Sequence, residues 1–519
     1  LLVKTIVKTG EYHDSVRLML VARELLSMNG VRDAAVVMAT PANKSILAGA
    51  GMLSEQVEAA TPNDLVIVVS GESASLLDEA LRQANILLEQ KAAPVEGGIT
   101  RPKTIRGAMA SHPSINVAVI SVAGRYAADE AWEALHRGLH VLLFSDNVSL
   151  EDEIALKRYA RERGLLLMGP GAGTTILNNV ALGFANALPP GPVGIVSAAG
   201  TGLQEVSCAL ARHGVGISQG LGIGGRDLSV EVGGVMMLES MKALQSDDNT
   251  QVIVLISKPP AGRVVSAVLD QVTASDKPSV VCFLGQDGEA ITGKPNVLPA
   301  RTLQEAVWLA ARLAGADLPE VSEMIAAENA RLESLASQLQ ASLQPDQKYL
   351  RALFSGGTLC YEAQVVWKEI LDTPVFSNAP LTGAPRLPDS MRSQEHTAID
   401  LGEEEFTIGR PHPMIENDLR VRRLLQEAQD PQVGVIMLDV VLGYGAHPDP
   451  ASDLGAAIGE AQRLARGTGR ELVVVASVTG TENDPQSLSR TAAVLERSGA
   501  VLCESNAAAA RLSGLLVRI

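Results

Sequence analysis

Aromatic side chains are scarce in this sequence: Phe, Tyr and Trp together make up 3% of its 519 residues. That argues against stacking platforms for bases or sugars as the main recognition device. Cysteine is also sparse. Cys208, Cys282, Cys360 and Cys503 are widely scattered and no Cys-x-x-Cys pair occurs, which argues against a zinc ribbon or a thioredoxin-type site. Four buried, reduced thiols in a cytoplasmic protein are expected instead. No apolar run reaches the ~18 residues of a membrane span, so no membrane role is expected, and Leu1-Leu2-Val3-Lys4-Thr5-Ile6-Val7-Lys8 reads as a strand rather than a signal peptide. Positive charge is in deficit, with 43 Lys and Arg against 59 Asp and Glu and a formal net charge of −16. Nonspecific nucleic-acid binding runs on basic patches and is not expected, whereas a local anion pocket survives a negative total.

What the chain does have is a hydrophobic fraction of 46% with abundant Ala, Val and Gly, which suits tightly packed α/β layers. Its length suggests about three or four domains. Residues 1–95 read as a small α/β domain, with a ferredoxin-like arrangement as one expectation: strands at 3–7, 31–38 and 64–70, helices at 14–28, 43–53 and 73–90. Residues 91–114 carry Pro, Gly and basic residues without periodicity and read as a linker. Residues 115–190 restart a βαβ pattern of Rossmann type, ending at Gly169-Pro170-Gly171-Ala172-Gly173-Thr174. Residues 191–318 form a first flavodoxin-like module, 319–347 a helical linker and 348–519 a second module. The two modules share a unit of apolar strand, small Gly/Ser/Thr loop and amphipathic helix, which points to an internal duplication.

The loops of that unit carry the candidate chemistry. In Ser197-Ala198-Ala199-Gly200-Thr201-Gly202 a strand stops, small residues admit a ligand to the backbone, and a helix opens. Free N–H groups, the helix dipole and the Ser197 and Thr201 hydroxyls suit a phosphate. A bare turn needs glycine too, so one such loop is weak. Ser355-Gly356-Gly357-Thr358 repeats it in the second module, and two equivalent loops suggest two helix N-termini aimed at one anion. Gly222-Ile223-Gly224-Gly225-Arg226-Asp227 offers close backbone approach at Gly224 and Gly225 and a planar donor at Arg226; the plainer alternative is an Arg226–Asp227 surface pair. Gly409-Arg410-Pro411-His412-Pro413-Met414 holds a cation and an imidazole on a stiff loop, suited to a carboxylate or phosphate, or simply to a turn. Asp439 stands at a strand C-terminus before a glycine loop, where it can orient a donor or partner; His447 nearby reads as an exposed loop residue. Lys44, at a helix start, is a weaker anion candidate.

With these strings in hand, residues 115–315 and 348–519 resemble the succinyl-CoA synthetase superfamily of NDP-forming acyl-CoA ligases, through Val193-Gly194-Ile195-Val196-Ser197, Gly222-Ile223-Gly224-Gly225 and the Gly-Pro loop at Gly169. Nearly the whole chain resembles the FdrA protein family, through Thr40-Pro41-Ala42-Asn43-Lys44, Phe144-Ser145-Asp146-Asn147-Val148, Ser355-Gly356-Gly357-Thr358-Leu359, residues 409–414 and Thr479-Gly480-Thr481-Glu482. The resemblance implies the large subunit of an oxamate carbamoyltransferase of anaerobic allantoin degradation. That enzyme interconverts oxalurate plus phosphate with oxamate plus carbamoyl phosphate, and the resemblance implies different partner subunits in a hetero-oligomer. It also implies a departure from the ligases, which carry their phosphoryl group on a histidine within a Gly-His-Ala-Gly string. The matching stretch here, residues 279–289, has none, and no His occurs between His213 and His396. In the family the Gly-Pro loop continues with Asn or Asp and then Cys, where this chain has Gly171-Ala172-Gly173. No cofactor and no metal are expected, and no ATP binding by this chain alone. Carbamoyl transfer is thus the leading expectation, with an NDP-forming acyl-CoA ligase subunit or a non-catalytic scaffold for partner subunits as the alternatives. For carbamoyl transfer, Arg410 is the expected clamp on substrate carboxylate or phosphate, His412 the acid–base group, and Arg226 a second charge clamp.

Overall fold

A computed structural model describes residues 2–11, 13, 15–89, 102–286, 291, 293–408 and 410–518. By contact the chain divides into two units, residues 1–100 with 401–416 and residues 101–400 with 417–519.

In the first unit three antiparallel strands run in the order Leu2–Lys8, Leu65–Gly71, Val31–Met38. The middle strand is buried along its whole length because both its faces are covered. Leu65, Ile67 and Val69 meet Leu18 and Leu25 of helix Ser15–Leu26 and Leu77 and Leu81 of helix Ala74–Glu89. Val66 and Val68 point the other way, toward Leu47, Met52 and Val57. This order is that of three strands of a ferredoxin-like sheet; residues 90–101, where a fourth would follow, lie outside the described residues. Thr40 caps helix Pro41–Gly49. The Lys44 ammonium donates to the carbonyls of Glu58 (2.7 Å) and Ala60 (2.6 Å), so it caps the C-terminal end of helix Glu55–Ala59, where the dipole favours a cation, rather than binding an anion. Residues 401–416 also belong to this unit, against the expectation that 348–519 form one continuous module.

The second unit begins with helix Ile105–Ser111, inside the expected linker; Thr104 caps it by accepting the Gly107 N–H at 3.0 Å. A parallel three-stranded sheet follows, Val117–Ile120, His140–Leu143 and Leu167–Met168, with helices Gly124–His136 and Leu150–Glu162. The next sheet has seven strands in the order Val297–Pro299, Ser279–Phe283, Val252–Ser257, Pro190–Ser197, Ile217–Gly222, Thr174–Leu177, Val180–Gly183. Its first five are parallel and follow the doubly wound flavodoxin-like order. The hairpin Thr174–Leu177/Val180–Gly183 extends this sheet, whereas the sequence had placed it with the Rossmann-like half. The division at 190 is softer still, because one hydrophobic core runs from Leu143 and Leu156 through Met236 and Leu255.

The third sheet of the unit is all parallel: Val375–Ser377, His396–Asp400, Tyr349–Phe354, Val433–Val441, Val473–Thr479, Ala500–Cys503. Apart from the edge strand Val375–Ser377 it repeats the order of the preceding module, so the duplication read from the sequence is present in topology. Helix Val321–Gln340, expected as a spacer, is docked: Leu332 and Ala336 are buried, and the Gln340 side-chain amide donates to Leu515 O at 2.9 Å on the last helix, Asn506–Val517. No helix among the described residues is long and apolar enough to cross a membrane.

Candidate functional site

The centre strands of the two modules, Pro190–Ser197 and Tyr349–Phe354, each run into a small-residue loop and a helix, Gly200–Arg212 and Gly357–Ile370. The fold brings these two loops into contact, and it does so reciprocally. A Cβ on Gly356 would lie 2.8 Å from Thr201 Cγ2, and a Cβ on Gly202 would lie 3.0 Å from Thr358 Cγ2. Each helix's threonine therefore packs on the other loop's glycine, which is why glycine stands at both places. The first N–H groups of a helix have no intrahelical acceptor, and neither N-cap, Ala199 nor Gly356, supplies a side-chain one. Two helix dipoles thus present their positive ends at one place.

The two loops are held differently. In the first, Ser197 Oγ accepts the Ala199 N–H at 3.0 Å and donates to Ala199 O at 2.7 Å, while Ala198 N–H is taken by Ile256 O at 2.9 Å. In the second, Asp439 does the work from the neighbouring strand. Its carboxylate accepts Ser355 N–H (2.7 Å), Ser355 Oγ–H (3.0 Å) and Gly356 N–H (2.8 Å), and is neutralised by the buried Arg420 at 3.0 Å. Asp439 and Arg420 are both buried. Burial drives the Arg420 guanidinium below its ordinary pKa, which the Asp439 charge opposes. The Asp439 carboxylate is thus engaged by the loop Ser355-Gly356 and by Arg420. Asp400 sits at the same helix end: its Oδ2 would lie 2.5 Å from a Cβ on Gly357.

Gly222-Ile223-Gly224-Gly225 approaches the other loops of this end. A Cβ on Gly224, whose φ is +85°, would lie 2.5 Å from Pro170 O, and a Cβ on Gly225 would have Ala198 O at 3.8 Å. Arg226, however, is committed elsewhere. It pairs with Glu153 at 2.8 Å and donates to Val148 O at 2.7 Å, both in the Rossmann-like part. Asp227 is not its surface partner but fully buried, bonded to Lys157 Nζ at 2.8 Å and to the N–H groups of Met236 and Met237 at 3.1 and 2.9 Å. Lys157 is itself fully buried, between Asp227 and Glu153 (2.8 Å), and also donates to Ile223 O at 3.1 Å. This Arg226–Glu153–Lys157–Asp227 chain fixes the loop 222–227. Sequence reading missed Glu153 and Lys157 because a Glu and a Lys four apart on a helix look like a surface pair.

Arg410 and His412 belong to the first compact unit, whereas the paired loops belong to the second. Both are half-buried; the Met414 N–H donates to His412 Nδ1 at 3.2 Å, and Gly409 lies outside the described residues. His447, expected to be exposed, is buried: its Nδ1 accepts the Asp449 N–H at 3.1 Å and its Nε2 lies 3.4 Å from Asp453.

Deeper in the same helix pair, two buried glutamates occupy equivalent positions, five residues on from Gly200 and Gly357. Glu205 accepts the Thr479 hydroxyl and the Asn506 N–H (3.2 Å); Glu362 accepts Leu303 N–H (2.6 Å) and Asn506 Nδ2 (2.8 Å). Burial raises the Glu362 carboxyl from 4.5 to about 7. The repeat Gly-Thr-x-x-x-Glu was visible in the sequence, although its two glutamates were not singled out. The four cysteines are all buried, and burial raises every thiol pKa.

Residues 353–516 match the CoA-ligase family, and residues 2–103 match the heavy metal-associated domain of AllF. None of the four cysteines lies in 2–103, and among the described residues no group of three or more His, Cys, Asp or Glu is placed to hold a metal. The alpha subunit of the ADP-forming succinate–CoA ligase of Staphylococcus aureus is 30% identical over 173 residues, 33% of this chain and 56% of that one. The crystal structure of PH0766 from Pyrococcus horikoshii aligns over 82% of this chain and 88% of its own, at 15% identity and a TM-score of 0.35. The uncharacterized protein YahF of Escherichia coli K12 is 43% identical over 520 residues, spanning 99% of this chain and 98% of its own. The protein is thus a multidomain α/β chain with a succinyl-CoA-synthetase-like ligase domain, and it belongs to the family of YahF.

Proposed function

We propose that the chain is an enzyme subunit of the acyl-CoA-ligase type that holds a phosphate at the paired N-termini of Gly200–Arg212 and Gly357–Ile370 and brings it to an acyl-type carbon. One observation carries this reading: the reciprocal packing of Thr201 on Gly356 and Thr358 on Gly202, which sets two uncapped helix starts side by side. Each offers free N–H donors and a positive dipole end, and together they stabilise a dianion without a metal. In a ligase reaction a phosphate oxygen bonds to the acyl carbon as the C–S bond of the thioester breaks, and the sulfur leaves and takes a proton. The developing oxyanion on that carbon needs donors in place before the reaction begins.

A second reading, carbamoyl transfer between an oxalurate-type ureide and phosphate within a hetero-oligomer, is favoured by the histidine-free stretch between His213 and His396 and by the AllF-type domain at 2–103. In it the phosphate oxygen attacks the carbamoyl carbon, the C–N bond breaks, and the leaving oxamate nitrogen takes a proton. Arg410 and His412 are its candidates for carboxylate binding and proton transfer. Arg226 drops out, because its guanidinium is engaged by Glu153 and Val148 O.

The test is to incubate the chain, with and without the products of neighbouring genes, with radiolabelled phosphate and either acyl-CoA or oxalurate. Acid-labile phosphate on the protein together with acyl-CoA turnover supports the ligase reading. Carbamoyl phosphate formed from oxalurate supports the second. Neither product, and no binding of phosphate, overturns both.

A further inference from the structure

In a doubly wound sheet a ligand binds where neighbouring strands send their helices to opposite faces, outside the strands' carboxyl ends. In the first flavodoxin-like module that crevice lies between Pro190–Ser197 and Val252–Ser257, which are adjacent and parallel, with Ile256 opposite Ser197. The first strand ends in the loop before Gly200. The second ends at Ser257 and is followed by Lys258, Pro259 and Pro260. Lys258 is half-buried, and its ammonium lies 5.6 Å from the centroid of the Tyr361 ring, in the opening turns of the second module's helix Gly357–Ile370. It thus reaches from one module to the helix start of the other. Among the described residues the Lys258 ammonium forms no ion pair. An aromatic face positions the head and leaves its N–H donors to other acceptors.

The electrostatics give this cation a task. Asp400 places a carboxylate beside Gly357, which opposes an anion at that helix end. Burial raises the pKa of the Cys360 thiol in the same turn; the Asp400 charge adds to that rise and the Lys258 charge opposes it. The second module has no such cation on the matching strand. There the strand Val433–Val441 presents Asp439, whose charge is already balanced by Arg420.

We propose that Lys258 is a binding residue of the paired-helix site, its ammonium donating to the phosphate from the strand opposite the first loop. The proposal rests on the phosphate reading above and adds to it the cation that this reading leaves unnamed. As a phosphate oxygen bonds to carbon in either reaction, the same ammonium neutralises the charge remaining on phosphate.

The experiment uses the whole chain and inorganic phosphate. Calorimetric titration establishes phosphate binding by the unaltered protein. Lysine acylation by acetic anhydride, read peptide by peptide by mass spectrometry, then reports the reactivity of Lys258 across the same phosphate range. Lys258 becomes protected with a midpoint at the phosphate dissociation constant, while exposed Lys242 does not. In parallel Lys258→Gln weakens phosphate binding by about 10- to 100-fold, the scale of a hydrogen bond to a charged group, and Lys258→Arg recovers most of it. Phosphate binding by the unaltered protein with Lys258 still fully reactive overturns the assignment of Lys258 and leaves the paired-helix reading standing. No phosphate binding by the unaltered protein overturns both. Because protection is read on the unaltered chain, a failure of either variant to fold leaves a decisive result.

Discussion

In the first flavodoxin-like module a hydroxyl on the loop itself, Ser197, fixes the turn, and an apolar side chain, Ile256, lies on the adjacent strand. In the second, Asp439 reaches across from the adjacent strand to gather two loop N–H groups and a hydroxyl, and Arg420 balances it. The same topology thus supports two loops of the same shape by different chemistry. The neutral device leaves its module free to bring a cation, Lys258, to the mouth of the crevice. The charged device adds rigidity but is closed electrostatically, since its carboxylate and guanidinium satisfy each other out of water. On the proposed reading, a duplicated fold that binds one anion between its halves does not need the same residues in both; it needs two loops in register and one source of positive charge.

The largest effect expected from breaking this comparison is at Asp439. Asp439→Ala strips three hydrogen bonds from the second loop and leaves Arg420 buried without its counter-charge, which costs about 3–5 kcal/mol. Equilibrium denaturation in urea reads this as a lower midpoint. A loss below about 1 kcal/mol contradicts the anchoring role, since that is the scale of one ordinary hydrogen bond.

Next is the glutamate pair behind the loops. Glu362 keeps its proton up to about pH 7 in the folded chain, chiefly because it is buried, but releases it near 4.5 when unfolded. Between those values the folded state binds more protons than the unfolded one, so stability falls as pH rises from about 4.5 to 7, by up to roughly 3 kcal/mol. Glu362→Gln removes that slope. The variant matches the unaltered protein near pH 4 and exceeds it at pH 8, as melting temperatures across pH will show. An unchanged slope means that Glu362 ionises in the folded state as it does in water.

The smallest effect is expected at Ser197. Ser197→Ala removes a hydroxyl that bonds only within its own loop, at a cost of about 0.5–1.5 kcal/mol. The ratio of the two loop variants in the same urea series therefore sharpens the comparison: Asp439→Ala shifts the midpoint several times further. Equal shifts would mean that the two devices carry equal weight.

Much of this arrangement was legible in the chain. Short apolar strands, Gly/Ser/Thr loops and amphipathic helices mark both modules and single out Thr201 and Thr358, because local periodicity and turn chemistry fix single βα units. Partnerships between units carry no such signature. Arg226 was read beside its neighbour Asp227, yet its carboxylate is Glu153, 73 positions away and on a helix where it resembled a surface residue. The hairpin 174–183 and the helix Val321–Gln340 have ordinary local patterns, and only the sheet edge and the helix face they cover show where they belong. Residues 401–416 look like one more loop of the second module, and their packing with residues 1–100 is set by contacts distant in sequence. Lys258 escaped notice because a lysine before two prolines reads as a surface turn.

The central claim is that one anion sits where the two helices begin. A crystal structure of the protein grown with phosphate tests it most directly. The account predicts density for phosphate within hydrogen-bonding distance of first-turn N–H groups from both Gly200–Arg212 and Gly357–Ile370, with the Lys258 ammonium turned toward it. Phosphate bound at one helix only, or elsewhere on the chain while this junction stays free of it, would contradict the account.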